Sequence, residues 1–316
     1  MSWMDTESPH RRVRAPSAER ALLTALAFLL TALPARADSP PVPDFPTIVR
    51  LSEAYRAMRY DSLPDIHAAL DPSYDELVIV DLPKTRNRYM LGTLAAGRRH
   101  EIWIRGTANT KNAFSDVELA KRRDAKLGIN LHHGFRDMAA AVYLDILPRL
   151  RRGYELVIFG HSLGAAEATI LGMLLSTDGW KVAQVYASAS PRLTDAEGAR
   201  KFAGLPVLRI ISEGDPVPLL PPRTLVSPAD PYVHLGPAVL LLDGPYFCTL
   251  GEQYGDEALG TDFWRSVKVN GLRADIREHF ILSYLERLGP KLAGPIEVPW
   301  ADRGRYLARP AHAPRA

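Results

Sequence analysis

Ser162 lies in the segment GHSLGAA, residues 160–166, whose composition and setting could support serine-based acyl transfer. A β-prone apolar run, 154–159, precedes the segment, and an apolar run of helical length, 165–175, follows it. In a strand–turn–helix elbow of this kind, glycines relieve crowding in a strained turn and the serine hydroxyl projects from the top of the sheet. Because G-x-S-x-G is weak by itself, the prediction of Ser162 as a nucleophile depends on this context.

A serine hydroxyl needs a base that takes its proton and an acid that orients the base. Asp215 follows the predicted strand 207–211, which would place its carboxylate at the sheet edge where the elbow also lies. We therefore predict Asp215 as the orienting acid. Glu213 is the nearest alternative, and an ordinary Asp-Pro turn is the structural alternative for the segment.

Two histidines, His234 and His279, follow Asp215 and precede the C-terminal segment. His279 lies at the start of an amphipathic segment, and a position between loop and helix would let its imidazole reach the sheet edge. We therefore predict His279 as the base. His234 stays open as an alternative base or as a pocket residue. His132 and His133 precede the elbow, so we expect them to hold a loop.

Attack on a carbonyl also needs donors for the oxyanion that forms. The backbone N–H of Leu163, directly after the nucleophile, is one predicted donor. The second should follow an earlier strand, and the predicted strand 100–105 leads into Gly106 and Thr107. Thr107 can offer a backbone N–H and a hydroxyl, with a plain turn as the alternative.

Strand-like and helix-like segments alternate along most of the chain, which is typical of an α/β protein with a mainly parallel central sheet and helices on both faces. The predicted strands are 76–82, 89–96, 100–105, 154–159, 182–187, 207–211 and 238–242, and the predicted helices are 48–58, 135–151 and 165–175.

The N-terminal segment 1–37 has the features of a cleavable export signal. Arginines precede the uncharged apolar run 21–33, and the A-x-A sequence 35–37 follows it. An uncleaved anchor and a plain helix are the alternatives. We predict an exported protein, periplasmic or secreted, with a catalytic domain at 38–292 and a loosely held tail rich in Pro, Ala and Arg at 293–316.

Composition excludes several classes of protein. The 39 basic and 36 acidic residues are mixed in sign, so we expect no nucleic-acid partner. Cys248, the single cysteine, cannot form an internal disulfide and has no metal-ligand spacing. We expect no metal or organic cofactor and no obligate protein partner.

Taken together, six segments resemble the class 3 lipase family, the fungal-lipase-like branch of the α/β-hydrolases. They occur in the family's order over 104–284: IRGT (104–107), HHGF (132–135), GHSLGAA (160–166), GDPVPLLPP (214–222), YVHLG (232–236) and EHFILSY (278–284). The resemblance implies the α/β-hydrolase fold, with Ser162, Asp215 and His279 as catalytic residues and Thr107 and Leu163 as oxyanion donors. An exported bacterial member of the family is expected.

The expected activity is hydrolysis of carboxylic esters through an acyl-enzyme, as a triacylglycerol lipase or carboxylesterase. A phospholipase A1 and a feruloyl-type esterase are alternatives on the same scaffold, and a catalytically silent binding protein is the alternative outside enzymes. The segment 108–128, where family members carry an amphipathic lid helix, has strand-like alternation at Val117 and Leu119. Strong activation at a lipid interface is therefore not expected, although transient contact with one is.

Overall fold

The structure, a computed structural model, describes residues 42–60, 62–106, 120–221, 230–251 and 276–307. The predicted signal segment 1–37, Thr107 and the alternating residues Val117 and Leu119 lie outside these ranges. All described residues except Val42 belong to the unit Pro43–Ala316.

Strands and helices alternate through most of the described chain. The strands are β1 (Glu76–Leu82), β2 (Asn87–Leu94), β3 (Arg99–Ile104), β4 (Lys121–Asp124), β5 (Ile129–His132), β6 (Glu155–His161), β7 (Lys181–Ser188), β8 (Val207–Ser212), β9 (Ala238–Leu241), β10 (Tyr246–Leu250) and β11 (Ile296–Glu297). The α-helices are α1 (Phe45–Ala57), α2 (Leu63–Leu70), α3 (His133–Ile146), α4 (Leu163–Thr177), α5 (Ala196–Lys201) and α6 (Ile281–Leu288). None of the helices in the described ranges is long and apolar enough to cross a bilayer.

The described strands form one large sheet in the order β1-β2-β3-β6-β7-β8-β9-β10-β11, and β4 pairs with β5 separately. Its centre, from β3 through β9, is parallel, whereas β1, β2 and β10 add antiparallel pairs toward the edges. The central strand β6 is buried from Leu156 onward, which explains why its sequence is a continuous apolar run. The predicted α/β-hydrolase class with a mainly parallel sheet is confirmed.

Successive side chains of the central strands point to opposite faces of the sheet, and helices cover each face. Ile102 and Ile158 join the cluster under α3 and α4, whereas Trp103 and Phe159 join the cluster under α1, α2 and α6. This burial on both faces holds the carboxyl end of β6 in a fixed position, and α4 follows there after a single residue.

The C-terminal segment differs from its prediction. Residues 293–307 were expected to be a loose tail, but Ile296 and Val298 donate backbone hydrogen bonds to Pro245 and Phe247, both 2.9 Å, and add β11 beside β10. Val298 is buried. Strand β11 could not be predicted from the sequence, because one buried valine and two backbone hydrogen bonds give no alternating apolar pattern and the segment is rich in Pro and Arg.

Candidate active site

Ser162 occupies the turn between β6 and α4 and has the backbone angles φ 60° and ψ −131°. A side chain is rare in this left-handed region, and it persists here because the elements on both sides are packed. The glycines of the motif permit this packing: a Cβ on Gly160 would lie 2.1 Å from the carbonyl oxygen of Gly164, and one on Gly164 would lie 2.1 Å from that of Ile104. The elbow therefore lies directly against the end of β3.

The structure brings together the three residues that we predicted as nucleophile, base and acid. Ser162 Oγ lies 2.8 Å from His279 Nε2. On the other side of the same ring, His279 Nδ1 lies 3.1 Å from both Oδ1 and Oδ2 of Asp215. All three side chains are buried. The arrangement can move a proton from a hydroxyl to an imidazole that a carboxylate orients.

Two further donors hold the carboxylate of Asp215 in place. The hydroxyl of Tyr284, on α6, donates to Oδ2 at 2.6 Å, and the backbone N–H of Val217 donates to Oδ1 at 2.9 Å. The side chain of Asp215 has no exposed surface. A buried carboxylate with this many donors stays oriented toward the imidazole. Sequence analysis did not assign a role to Tyr284, although it lies within the EHFILSY segment.

His161, the residue before Ser162, contacts His279. Its Nε2 donates to the backbone carbonyl of His279 at 2.8 Å, so its Nδ1 accepts from Ser188 Oγ at 3.0 Å. Burial, together with His279 and Arg59 nearby, holds the pKa of His161 well below its usual range. This ring is therefore neutral and fixed in one tautomer. Sequence analysis included His161 in the GHSLGAA segment but predicted no role for it.

The alternative base His234 and the alternative acid Glu213 take no part in the contacts between Ser162, His279 and Asp215. His234 Nε2 donates to the carbonyl of Pro218 at 2.7 Å and so braces the loop that carries Asp215. Glu213 lies in electrostatic range of Arg287, Arg303 and Glu278, and burial raises its pKa.

The histidines before the elbow lie outside this centre as well. His132 stacks on Phe135 with ring centroids 4.0 Å apart, and burial lowers its pKa to about 4. His133 begins α3.

Leu163, the predicted backbone donor, begins α4 directly after Ser162. The first N–H groups of a helix have no carbonyl one turn earlier, so they are free to face an anion. Gly106 packs against this end: with φ +57°, a Cβ there would lie 2.8 Å from the backbone nitrogen of Gly164. The chain just before Thr107 therefore lies against the elbow.

A cavity of about 360 Å³ opens onto Ser162 and His279. The loop after α1 and the end of β3 contribute arginine and tyrosine side chains, and the segment around the start of α6 contributes apolar ones. Its volume is within the range of small-molecule sites. In the ranges that the structure describes, no group of three His, Cys, Asp or Glu side chains could hold a metal ion.

Comparison with known proteins agrees with this geometry. Residues 102–225 match the family Lipase (class 3). Secreted mono- and diacylglycerol lipase A of Penicillium cyclopium is 34% identical over 142 residues, which are 42% of this chain and 45% of that protein. Secreted mono- and diacylglycerol lipase 1 of Fusarium solani is 28% identical over 212 residues, 63% of this chain and 59% of that protein. The chain therefore spans about half the length of these relatives.

Solved structures share the fold. The crystal structure of an MDLA mutant from Penicillium cyclopium has a TM-score of 0.57 at 20% identity and covers 79% of this chain and 99% of that one. A lipase from Rhizopus microsporus var. chinensis has a TM-score of 0.50 at 18% identity and covers 65% of this chain and 80% of that one.

Proposed function

We propose that the chain, in which residues 102–225 match the class 3 lipase family, is a serine hydrolase of carboxylic esters, a lipase or carboxylesterase that acts on acylglycerols or related lipids. The observation that carries the proposal is the chain of contacts from Ser162 through His279 to Asp215, with 2.8 Å between hydroxyl and imidazole. A buried carboxylate, an imidazole and a strained serine in this order are the arrangement that acyl transfer through a serine nucleophile requires.

In the proposed reaction, Ser162 Oγ attacks the ester carbonyl while His279 Nε2 takes its proton. Asp215 holds the imidazole with Nδ1–H toward its carboxylate and stabilises the imidazolium that forms. His279 then returns the proton to the leaving alcohol, which leaves an acyl group on Ser162. Water, deprotonated by the same imidazole, releases the acyl group as a carboxylic acid.

The negative charge that develops on the carbonyl oxygen needs donors in place before the attack. We propose the backbone N–H of Leu163 as one of them, because it lies at the N-terminus of α4 where helix amides face away from the helix. Thr107, which follows Gly106 at the elbow, is the proposed second donor. No metal or organic cofactor enters this reaction.

The relatives' names suggest the surroundings in which the enzyme works. Both are called secreted lipases of mono- and diacylglycerols. Together with the basic, apolar and A-x-A pattern of 1–37, this supports export to the periplasm or the medium. Partial acylglycerols are accordingly the substrates to test first.

The experiment is hydrolysis of p-nitrophenyl esters from acetyl to palmitoyl, and of mono- and diacylglycerols, by the exported chain and by Ser162→Ala. The proposal expects activity that the Ser162→Ala variant loses on every ester. A peak at long chains would identify a lipase, and a peak at short chains an esterase. Equal rates for the wild type and the variant would contradict it.

A further inference from the structure

The cavity at Ser162 is lined by two chemically different kinds of side chain. Phe280 and Leu282, at the start of α6, are apolar and are 47% and 56% exposed, respectively. Arg59, just after α1, and Arg105, just after β3, are cationic. A cavity with both apolar and cationic lining fits a molecule that carries an acyl chain and a negative charge.

The two arginines lie close enough to feel each other's charge. Burial raises the pKa of Tyr55, and the guanidinium groups of Arg59 and Arg105 both oppose that rise, so both face this phenol. Burial lowers the pKa of Arg105, and the positive charges of Arg88 and Arg59 lower it further. Arg105 is partly buried and Arg59 is exposed. Their positive charges repel each other, and an anion bound between them would relieve this repulsion.

The protein does not supply that anion from its described residues. Arg105 Nε is buried with no hydrogen-bond partner among them. Asp81, the carboxylate that acts on Arg105, already accepts hydrogen bonds of 2.7 and 2.9 Å from Arg88. Glu167, a buried acid that acts on Tyr55, is largely uncharged at neutral pH, because burial raises its pKa to about 8.

A third arginine of the cavity, Arg56, differs from Arg59 and Arg105 because it has a carboxylate partner. Arg56 donates from Nε to Glu53 at 2.6 Å in an exposed ion pair, so its charge is already balanced. Arg59 forms no ion pair with a carboxylate among the described residues. It hydrogen-bonds to the phenol of Tyr55 and lies in electrostatic range of His161. Among the described residues of this cavity, the charges without a paired carboxylate are therefore those of Arg59 and Arg105.

We propose that Arg59 and Arg105 bind an anionic group, a phosphate or carboxylate on the alcohol part of an amphiphilic ester, while the acyl chain lies against Phe280 and Leu282. Guanidinium groups match both anions with paired N–H donors, and hydrogen bonds between charged groups are roughly twice as strong as neutral ones. The inference rests on the proposed ester hydrolysis at the same cavity and specifies which esters the enzyme prefers.

The test compares three esters that share one acyl chain: 1-hexanoylglycerol, its 3-phosphate, and 3-hexanoylglycerate. We expect kcat/KM to be about tenfold or more higher for a charged ester than for the neutral one, the scale of one charge-assisted hydrogen bond. The preference should weaken at high salt. A higher rate with the phosphate alone identifies a phosphorylated headgroup, and one with the glycerate alone a carboxylate.

Substitution of Arg59 tests whether the preference for charged esters depends on the two arginines. Arg59→Ala should remove most of the preference, measured as the ratio of kcat/KM for the 3-phosphate to kcat/KM for 1-hexanoylglycerol in the same variant. Arg59→Lys, which keeps the charge, should restore part of it. The matched control is Arg305→Gln, because Arg305 has a side chain that is 76% exposed and lies outside the cavity. Equal kcat/KM for the neutral and charged esters in the wild type would overturn the inference.

A direct binding measurement separates this inference from the proposed function. If the wild type hydrolyses neither these three esters nor any ester of the p-nitrophenyl and acylglycerol panel, the proposed function fails. Calorimetry of the 3-phosphate and of 1-hexanoylglycerol on Ser162→Ala then decides about the anion site. Tighter binding of the phosphate that Arg59→Ala abolishes would support the site. Equal affinities would reject it.

Discussion

His161 lies beneath His279 and is joined to it by a hydrogen bond of 2.8 Å from its Nε2 to the backbone carbonyl of His279. The two rings also stack, with centroids 5.2 Å apart and planes 30° apart. His161 precedes Ser162 in the chain, so the end of β6 leads into Ser162 and also contacts His279. The position of His279 beside Ser162 therefore rests on this contact as well as on the hydrogen bond between the two residues.

His161→Phe tests this support. Phenylalanine keeps a ring beneath His279 but cannot donate to its carbonyl, so we expect kcat to fall by roughly tenfold with KM little changed. Ser188→Ala, which removes only the hydroxyl that donates to Nδ1 of His161, should cost less. The measurement is steady-state ester hydrolysis with folding checked by circular dichroism. A change in KM alone would show that His161 acts on substrate binding.

Tyr284→Phe removes the hydroxyl that donates to Asp215 at 2.6 Å. The buried carboxylate then loses one of its donors, and such a bond to a charged group is worth about 1.5–3 kcal/mol. We expect kcat to fall by at least tenfold and the midpoint of thermal unfolding to decrease. Tyr246→Phe, a tyrosine of β10 outside the site, is the matched control. Unchanged kinetics in Tyr284→Phe would mean that Val217 alone orients Asp215.

Glu167 makes stability depend on pH. Burial raises its pKa to about 8 from the ordinary 4.5, and Asn87 gives it a hydrogen bond of 2.7 Å. Between these values the folded protein keeps a proton that the unfolded chain releases, so the free energy of unfolding falls as pH rises from about 4.5 to about 8. Glu167→Gln should flatten this slope and add up to about 3 kcal/mol at pH 7.

Urea unfolding at pH 4, 5.5, 7 and 8 measures the effect of Glu167→Gln. The two proteins should differ least at pH 4, where Glu167 is protonated in both states. Glu197→Gln is the control, because its side chain is exposed and its ion pair with Arg123 contributes little. A stability difference that does not change with pH would contradict the account.

Gly164→Ala tests the contact between the elbow and the sheet. Its Cβ would lie 2.1 Å from the carbonyl oxygen of Ile104, so β3 and α4 must separate. We expect the free energy of unfolding to fall by about 1–3 kcal/mol and kcat to fall with it. At Gly204 a Cβ meets no atom within 4 Å, so Gly204→Ala should leave both unchanged. Equal effects of the two substitutions would refute the close packing.

The central part of the fold could be predicted because its strands are buried on both faces. Strand β1 has its predicted bounds, and β6 and β8 differ from theirs by at most two residues at either end. Short or partly exposed elements escaped prediction. Helix α5, strand β11 and the hairpin of β4 and β5 are set by a few tertiary contacts, which leave weak periodicity in the sequence.

For the candidate site, the order of motifs could identify Ser162, Asp215 and His279 as partners. It could not show that Tyr284 hydrogen-bonds to Asp215 or that His161 hydrogen-bonds to the carbonyl of His279. Each of these contacts joins segments that are far apart in the chain, and the second also depends on the orientation of a ring. The neighbouring charges of Arg59 and Arg105 likewise depend on how α1 packs beside β3. The roles of the three partners and of Thr107 remain proposals for experiment.

The most direct test of the account is labelling of the folded protein with a fluorophosphonate, followed by peptide mass spectrometry, in the wild type, His279→Gln and His234→Gln. We predict that the label lies on Ser162, that His279→Gln reduces the labelling rate by at least a thousandfold, on the order seen when a triad member is removed, and that His234→Gln labels at nearly the wild-type rate. Labelling elsewhere, or a loss in His234→Gln with none in His279→Gln, would contradict the catalytic assignment.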